Sequence, residues 1–137
     1  MADLFPALAL GDCLDEAQCI VITAKVATGG VTKGQMVVFN THTASEIPSV
    51  SIAGVAAANC LGMAMQTKAA GEYALILIAG VAKVTSGAGV TGGVVVVTGA
   101  TGTIETVGAN TFEKAVGRAL QTFAAGDTGL AYINCLL

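Results

Sequence analysis

The chain has 137 residues, a mass of 13.5 kDa and a formal charge of −3. Only 11% of its residues are charged, against about 25% in an average globular protein, and a folded monomer of this mass exposes roughly 6,500 Å². Six basic and nine acidic groups are thin cover for that surface. The composition excludes a basic nucleic-acid-binding face and the polar, highly charged signature of disorder. It favours a protein whose surface is covered by partners or by copies of itself.

The first segment, residues 1–17, differs in kind from the rest. Leu4, Phe5 and Leu8 are apolar, and Asp3, Asp12, Asp15 and Glu16 precede the first base, Lys25. It has no basic n-region and no long apolar run, so a signal peptide is not expected. Two readings stand: a tail folded onto its own domain, or an arm that docks on a neighbour. In the second, Leu4, Phe5, Leu8, Asp12, Asp15 and Glu16 are the contact residues.

From Gln18 onward the pattern is β. Gln18–Val26 is rich in β-branched residues, and Gln35–Phe39 and Val94–Thr98 are short apolar runs bounded by glycine. Tyr73–Ile78 and Leu130–Leu136 read the same way. The blocks Gly30-Val31-Thr32-Lys33-Gly34 and Gly89-Val90-Thr91-Gly92-Gly93 are predicted turns, since glycine supplies the positive φ that tight turns need. So are Ala69–Glu72 and Ala124–Asp127. Ser51–Asn59 mixes helical and β preferences, and Thr111–Lys114 reads as one helical turn. The fold class is all-β: a compact sandwich or barrel with an extended N-terminal arm.

The chain also repeats itself. Leu61-Gly62-Met63-Ala64-Met65-Gln66-Thr67 and the turn after it match Val116-Gly117-Arg118-Ala119-Leu120-Gln121-Thr122 and its turn. The two Gly-Val-Thr-x-Gly blocks pair in the same order, as do Ala24-Lys25-Val26 and Ala82-Lys83-Val84. Residues 18–137 are therefore read as one β domain made of two repeats, about 22–78 and 80–133.

Candidate chemistry is sparse. Gly87–Gly92 satisfies GxGxxG, but the apolar run Val94–Val97 follows where a dinucleotide site needs a helix. His42 is the single histidine and sits in a polar stretch. It is expected to have no catalytic or metal role. Cys13, Cys19, Cys60 and Cys135 show no zinc spacing; reduced thiols are the default, with structural disulfides the alternative. Glu72 and Asp127 occupy equivalent turn positions, which explains them without an acid pair. Tryptophan is absent. The stretches Ile47–Thr67 and Val84–Ile104 lack charges, but their Gly, Pro, Asn and Gln content argues against a transmembrane helix. No enzyme activity, cofactor, metal, nucleic acid or membrane is expected.

Three passages resemble a known group. They are the Gly-Val-Thr-x-Gly block leading into an apolar strand (Gly30–Phe39, Gly89–Val97), the run Tyr73–Val84, and the ending from Val116 through Asp127 to a last strand. In these the chain is similar to the head-decoration, or capsid cement, proteins of tailed bacteriophages, over about Gln18–Leu137. The four cysteines and the long Ser45–Asn59 insertion depart from that pattern. The resemblance implies a non-enzymatic virion protein made in the host cytoplasm. It would sit on the outer surface of an icosahedral capsid, cement major capsid protein subunits, and form a homotrimer. A small ligand-binding or sensory β-barrel domain is the alternative.

Overall fold

The computed structural model describes residues 9–12, 19–40, 47–108 and 112–135. Nine strands carry the fold: β1 Ile20–Val26, β2 Met36–Phe39, β3 Ser49–Ile52, β4 Cys60–Ala64, β5 Tyr73–Thr85, β6 Val95–Thr98, β7 Ile104–Thr106, β8 Gly117–Ala119 and β9 Thr128–Asn134. Among the described residues there is no α-helix; two short 3-10 turns lie at Ala100–Gly102 and Phe112–Lys114. The all-β expectation holds.

Five strands close into a barrel in the order β1-β3-β2-β4-β5, with β5 returning to β1. All neighbours are antiparallel except β1 and β3, which run parallel through Lys25–Ser49 and Val26–Val50. Closure removes the exposed strand edges that would otherwise recruit other chains. The barrel interior is filled by small and β-branched side chains, among them Ala24, Val26, Val37, Val50 and Ile76.

The far half of β5 then begins a second set. β9 pairs with β5 from Ala79 to Thr85, β8 with β9, β6 with β8, and β7 with β6. This set returns to β5 through one contact just past its end: Ser86 bridges Ile104 in parallel. The Gly87 N–H donates to the Ile104 carbonyl at 2.8 Å, as the Ala27 N–H donates to Val50 at 2.8 Å in the first barrel. Its core holds Val84, Val96, Ile104, Ala131 and Ile133, and the first barrel contributes Met36, Met63 and Leu77 to it. The two halves thus share one apolar layer.

The elements follow from local sequence with three differences. First, Tyr73–Ile78 does not stop before Gly80. It is the start of a 13-residue strand, because Gly80 takes an ordinary ladder place opposite Ile133. Second, Ser51–Asn59 resolves as the end of β3 followed by turns. The loop is pinned to the other half: the Ala56 N–H donates to Thr98 O at 2.7 Å, and the Ala57 N–H to Thr98 Oγ1 at 2.8 Å. Buried Thr98 is fully paired, because its hydroxyl also donates to Gly54 O at 2.7 Å. Third, Ala24-Lys25-Val26 and Ala82-Lys83-Val84 sit in different ladders: Val26 opposes Val50 in a parallel pair, and Val84 opposes Gly129 in an antiparallel one. The partners of the ladder, not the Ala-Lys-Val phrase, set the register.

Two glycines are demanded by close approach. A Cβ at Gly62 would lie 2.1 Å from the Leu77 carbonyl oxygen, and one at Gly117 1.9 Å from that of Tyr132. These are backbone atoms of the adjacent strand, so neither can yield cheaply. Gly62→Ala and Gly117→Ala are each expected to cost about 3 kcal/mol or more, read as a fall in the urea midpoint. Gly54→Ala, where an added Cβ meets nothing within 4 Å, is expected to stay within about 0.5 kcal/mol of wild type.

Candidate interaction surface

The described residues carry few charges that converge. Lys33 pairs with Asp12, and Lys68 lies 4.0 Å from Glu72 one helical-turn spacing away in sequence. The Arg118 guanidinium donates to Gly93 O at 2.6 Å. Glu72 Oε1 accepts the Ala69 N–H of its own turn at 3.3 Å. Among the described residues no group of three His, Cys, Asp or Glu side chains is placed to hold a metal, and no helix is long and apolar enough to cross a membrane.

The GxGxxG loop serves its turn. The Gly89 N–H donates to Ser86 Oγ at 2.6 Å and the Gly92 N–H to Thr122 Oγ1 at 2.9 Å, and β6 follows. Two of the amides a phosphate would need are thereby already bonded.

What the surface does offer is apolar area. Tyr73 and Leu75 project from β5, Val21 from β1 and Tyr132 from β9, all more than a third exposed. Val21, Leu75, Met65 and Cys19 line a shallow groove. It forms because Thr23 of β1 opposes Leu75 while the Met65 N–H donates to Leu75 O at 2.9 Å, placing three strands side by side. Tyr73 stands opposite Lys25, and Tyr132 opposite Arg118. Ala74 and Ile76 are as apolar as Tyr73 and Leu75, so the sequence does not mark which side of β5 faces out, and the groove's other walls come from distant strands.

Of the residues expected to make contacts, Leu4, Phe5, Leu8, Asp15 and Glu16 lie outside the described residues, as does His42. Asp12 is described, and it is engaged within its own chain. Its carboxylate pairs with Lys33, its carbonyl accepts Lys83 N–H at 3.3 Å, and the Gly11 N–H donates to Lys83 O at 2.9 Å. Leu10 rests on Gly34, where an added Cβ would meet the Leu10 side chain at 2.5 Å. Residues 9–12 therefore lie between Lys83 of β5 and the Lys33–Gly34 turn of the first half.

The cysteines divide. Cys19 is in a disulfide, so at that residue the alternative holds rather than the default of a reduced thiol. Cys60 and Cys135 are free thiols with their sulfurs 3.9 Å apart. The hydrogen bond between them, together with burial, pushes the Cys60 thiol well above the usual range, and the same bond pulls Cys135 down.

No family model matches the sequence, and no curated protein does. Among solved structures the chain is similar to the crystal structure of the head fiber gp8.5 N base of bacteriophage phi29. The TM-score is 0.66 at 16% identity, over 86% of this chain and 96% of that one. The likeness is one of fold.

The latch of residues 9–12 is open to a direct test. Both members of the Asp12–Lys33 pair are about 40% exposed, at 41% and 39%, so the pair contributes at most about 1 kcal/mol. Lys33→Ala is expected to leave the melting temperature nearly unchanged while amides near Gly11 exchange faster. Raising salt should narrow that difference in wild type.

Proposed function

We propose that this chain is a non-enzymatic structural protein of a virus particle, bound as a homotrimer to the outer surface of an icosahedral head, where it cements major capsid protein subunits. The observation that carries the reading is the fold likeness to a phage head fiber base over nearly the whole of both chains. It agrees with the sequence resemblance to head-decoration proteins. The physical chemistry fits the task. An accessible surface of 6999 Å² with few charges presents apolar rows such as Tyr73 and Leu75, and burying such area yields about 25 cal/mol per Å². Contacts repeated over a symmetric shell add avidity without any catalytic group.

The reading includes an internal duplication, supported by bonds whose partners recur 55 or 59 positions apart. Gln66 Oε1 accepts the Leu75 N–H at 3.2 Å and Gln121 Oε1 the Leu130 N–H at 2.9 Å. Thr67 Oγ1 accepts the Lys33 N–H, and Thr122 Oγ1 the Gly92 N–H, both at 2.9 Å. The isolated bridges Val31–Lys68 and Val90–Phe123 occupy matching places. Two copies of one contact geometry per chain suit attachment to a shell of repeated subunits.

The arm is part of the proposal. Leu4, Phe5 and Leu8 would meet a neighbouring subunit, with Asp15 and Glu16 facing basic groups. The test uses shells purified without the protein, mixed with full-length chain and recovered by gradient sedimentation. Full-length protein is expected to saturate at a fixed number of copies per shell and to run in solution at three times the chain mass. A chain lacking residues 1–8 should remain folded and bind at least about tenfold more weakly, the loss of one buried Leu or Phe already amounting to about 1.5–3 kcal/mol. Failure of the full-length chain to bind any such shell would overturn the reading; equal binding by the truncated chain would move the contact to the strand faces.

A further inference from the structure

We propose that Cys60 and Cys135 are a disulfide-forming pair that ties β4 to the end of β9 once the protein meets a small oxidised disulfide. The inference stands apart from the particle role and concerns this chain alone. The sulfurs are 3.9 Å apart and belong to residues 75 positions apart in sequence. Both backbones are held. Cys60 faces Val38 across β2–β4, and the Cys135 N–H donates to Ile78 O at 2.9 Å. Closing to the roughly 2.0 Å of an S–S bond then asks for side-chain rotation rather than movement of a strand.

The pair is also reachable. Both cysteines line a small cleft with Ala57, Ala58, Glu113 and Lys114, whose acid and base offset one another, so the cleft provides access without a net charge. Hydrogen bonding assigns the roles: the Cys60 thiol has a backbone acceptor of its own in Gly62 O at 3.8 Å and keeps its proton, so Cys135 attacks and Cys60 resolves. The Cys135 thiolate attacks one sulfur of oxidised glutathione, forming a mixed disulfide and releasing one glutathione thiolate. Cys60 gives up its proton and attacks the Cys135 sulfur, releasing the second glutathione. Two protein thiols are oxidised, one glutathione disulfide is reduced to two thiols, and the two cysteine protons end on them.

The full-length protein would be incubated with a glutathione redox buffer, its remaining thiols alkylated, and its peptides mapped without reduction. A Cys60–Cys135 cross-linked peptide is expected, with both sites lost to alkylation. In Cys60→Ser the mixed glutathione disulfide should accumulate at Cys135. In Cys135→Ser the mixed disulfide should form at Cys60 more slowly than at Cys135 in Cys60→Ser, because the Cys60 thiol keeps its Gly62 O acceptor. Oxidised wild type should melt roughly 5–15 °C above the Cys60→Ser/Cys135→Ser double variant treated alike. If both thiols of the folded wild type stay open to alkylation at equilibrium, or if either bonds to a different cysteine or another chain, the proposal fails.

Discussion

Everything in this fold hangs on one strand. β5 runs for 13 residues, and along that length it changes partners. Its first half pairs with β1 on one edge and β4 on the other, and its second half pairs with β9. The exchange happens at Ala79, which opposes both Ile20 and Asn134. Just before it, Val21 opposes Leu77 while Ile20 opposes Ala79, so Ile78 is the extra residue of a bulge. A bulge bends its strand and sharpens the twist, which is what a strand leaving one barrel for a second sheet requires. The freed Ile78 carbonyl is not left orphaned; it accepts the Cys135 N–H at 2.9 Å.

The seam between the halves is then built from side chains and turns rather than from more ladder. Met36, Met63 and Leu77 of the first barrel pack with Val96, Ile104 and Ile133 of the second set. Thr98, fully buried, ties the 54–57 loop to the end of β6. Gly102, at φ +77 in the turn after β6, abuts Gln35 and Met36 so closely that a Cβ would come within 2.8 Å, and its N–H donates to Ala53 O at 2.9 Å. A seam so apolar and so well hydrogen-bonded makes the halves one body. That suits a protein whose proposed work is to hold other subunits in place rather than to open and close.

Much of this was legible from residues alone, for reasons that are local. The β-branched runs became β1, β2, β6 and β9, and the glycine-bounded blocks became turns, because both signals depend on a few neighbouring residues. The helical turn near Thr111–Lys114 appeared as a 3-10 turn at Phe112–Lys114. What was illegible depends on pairing across the chain. Gly80 looked like a boundary because glycine weakens strands, yet its neighbour β9 holds it in the ladder. The phrase Ala-Lys-Val occurs twice, but Val26 opposes Val50 in a parallel pair and Val84 opposes Gly129 in an antiparallel one. The contact between Cys60 and Cys135 spans most of the domain, and no spacing rule announces it. On the candidate surface, Tyr73 and Leu75 alternate with equally apolar Ala74 and Ile76, so the pattern alone does not pick the outward face, and Val21 and Met65 join it only through the closure of the barrel. Asp12 read as a free acid of the arm because Lys33 lies 21 positions on; the carbonyl and amide of Lys83 bring the segment back across that gap.

The central structural claim is that β5 makes one cooperative unit of two half-structures. Native-state hydrogen exchange across residues 73–85, followed as denaturant is raised, tests it most directly. The account predicts that amides on both sides of Ala79 converge on a single opening free energy equal to that of global unfolding. Separate opening of residues 80–85 with β9, at a lower denaturant concentration than residues 73–78 with β1, would show two independent barrels joined by a shared segment and would contradict it.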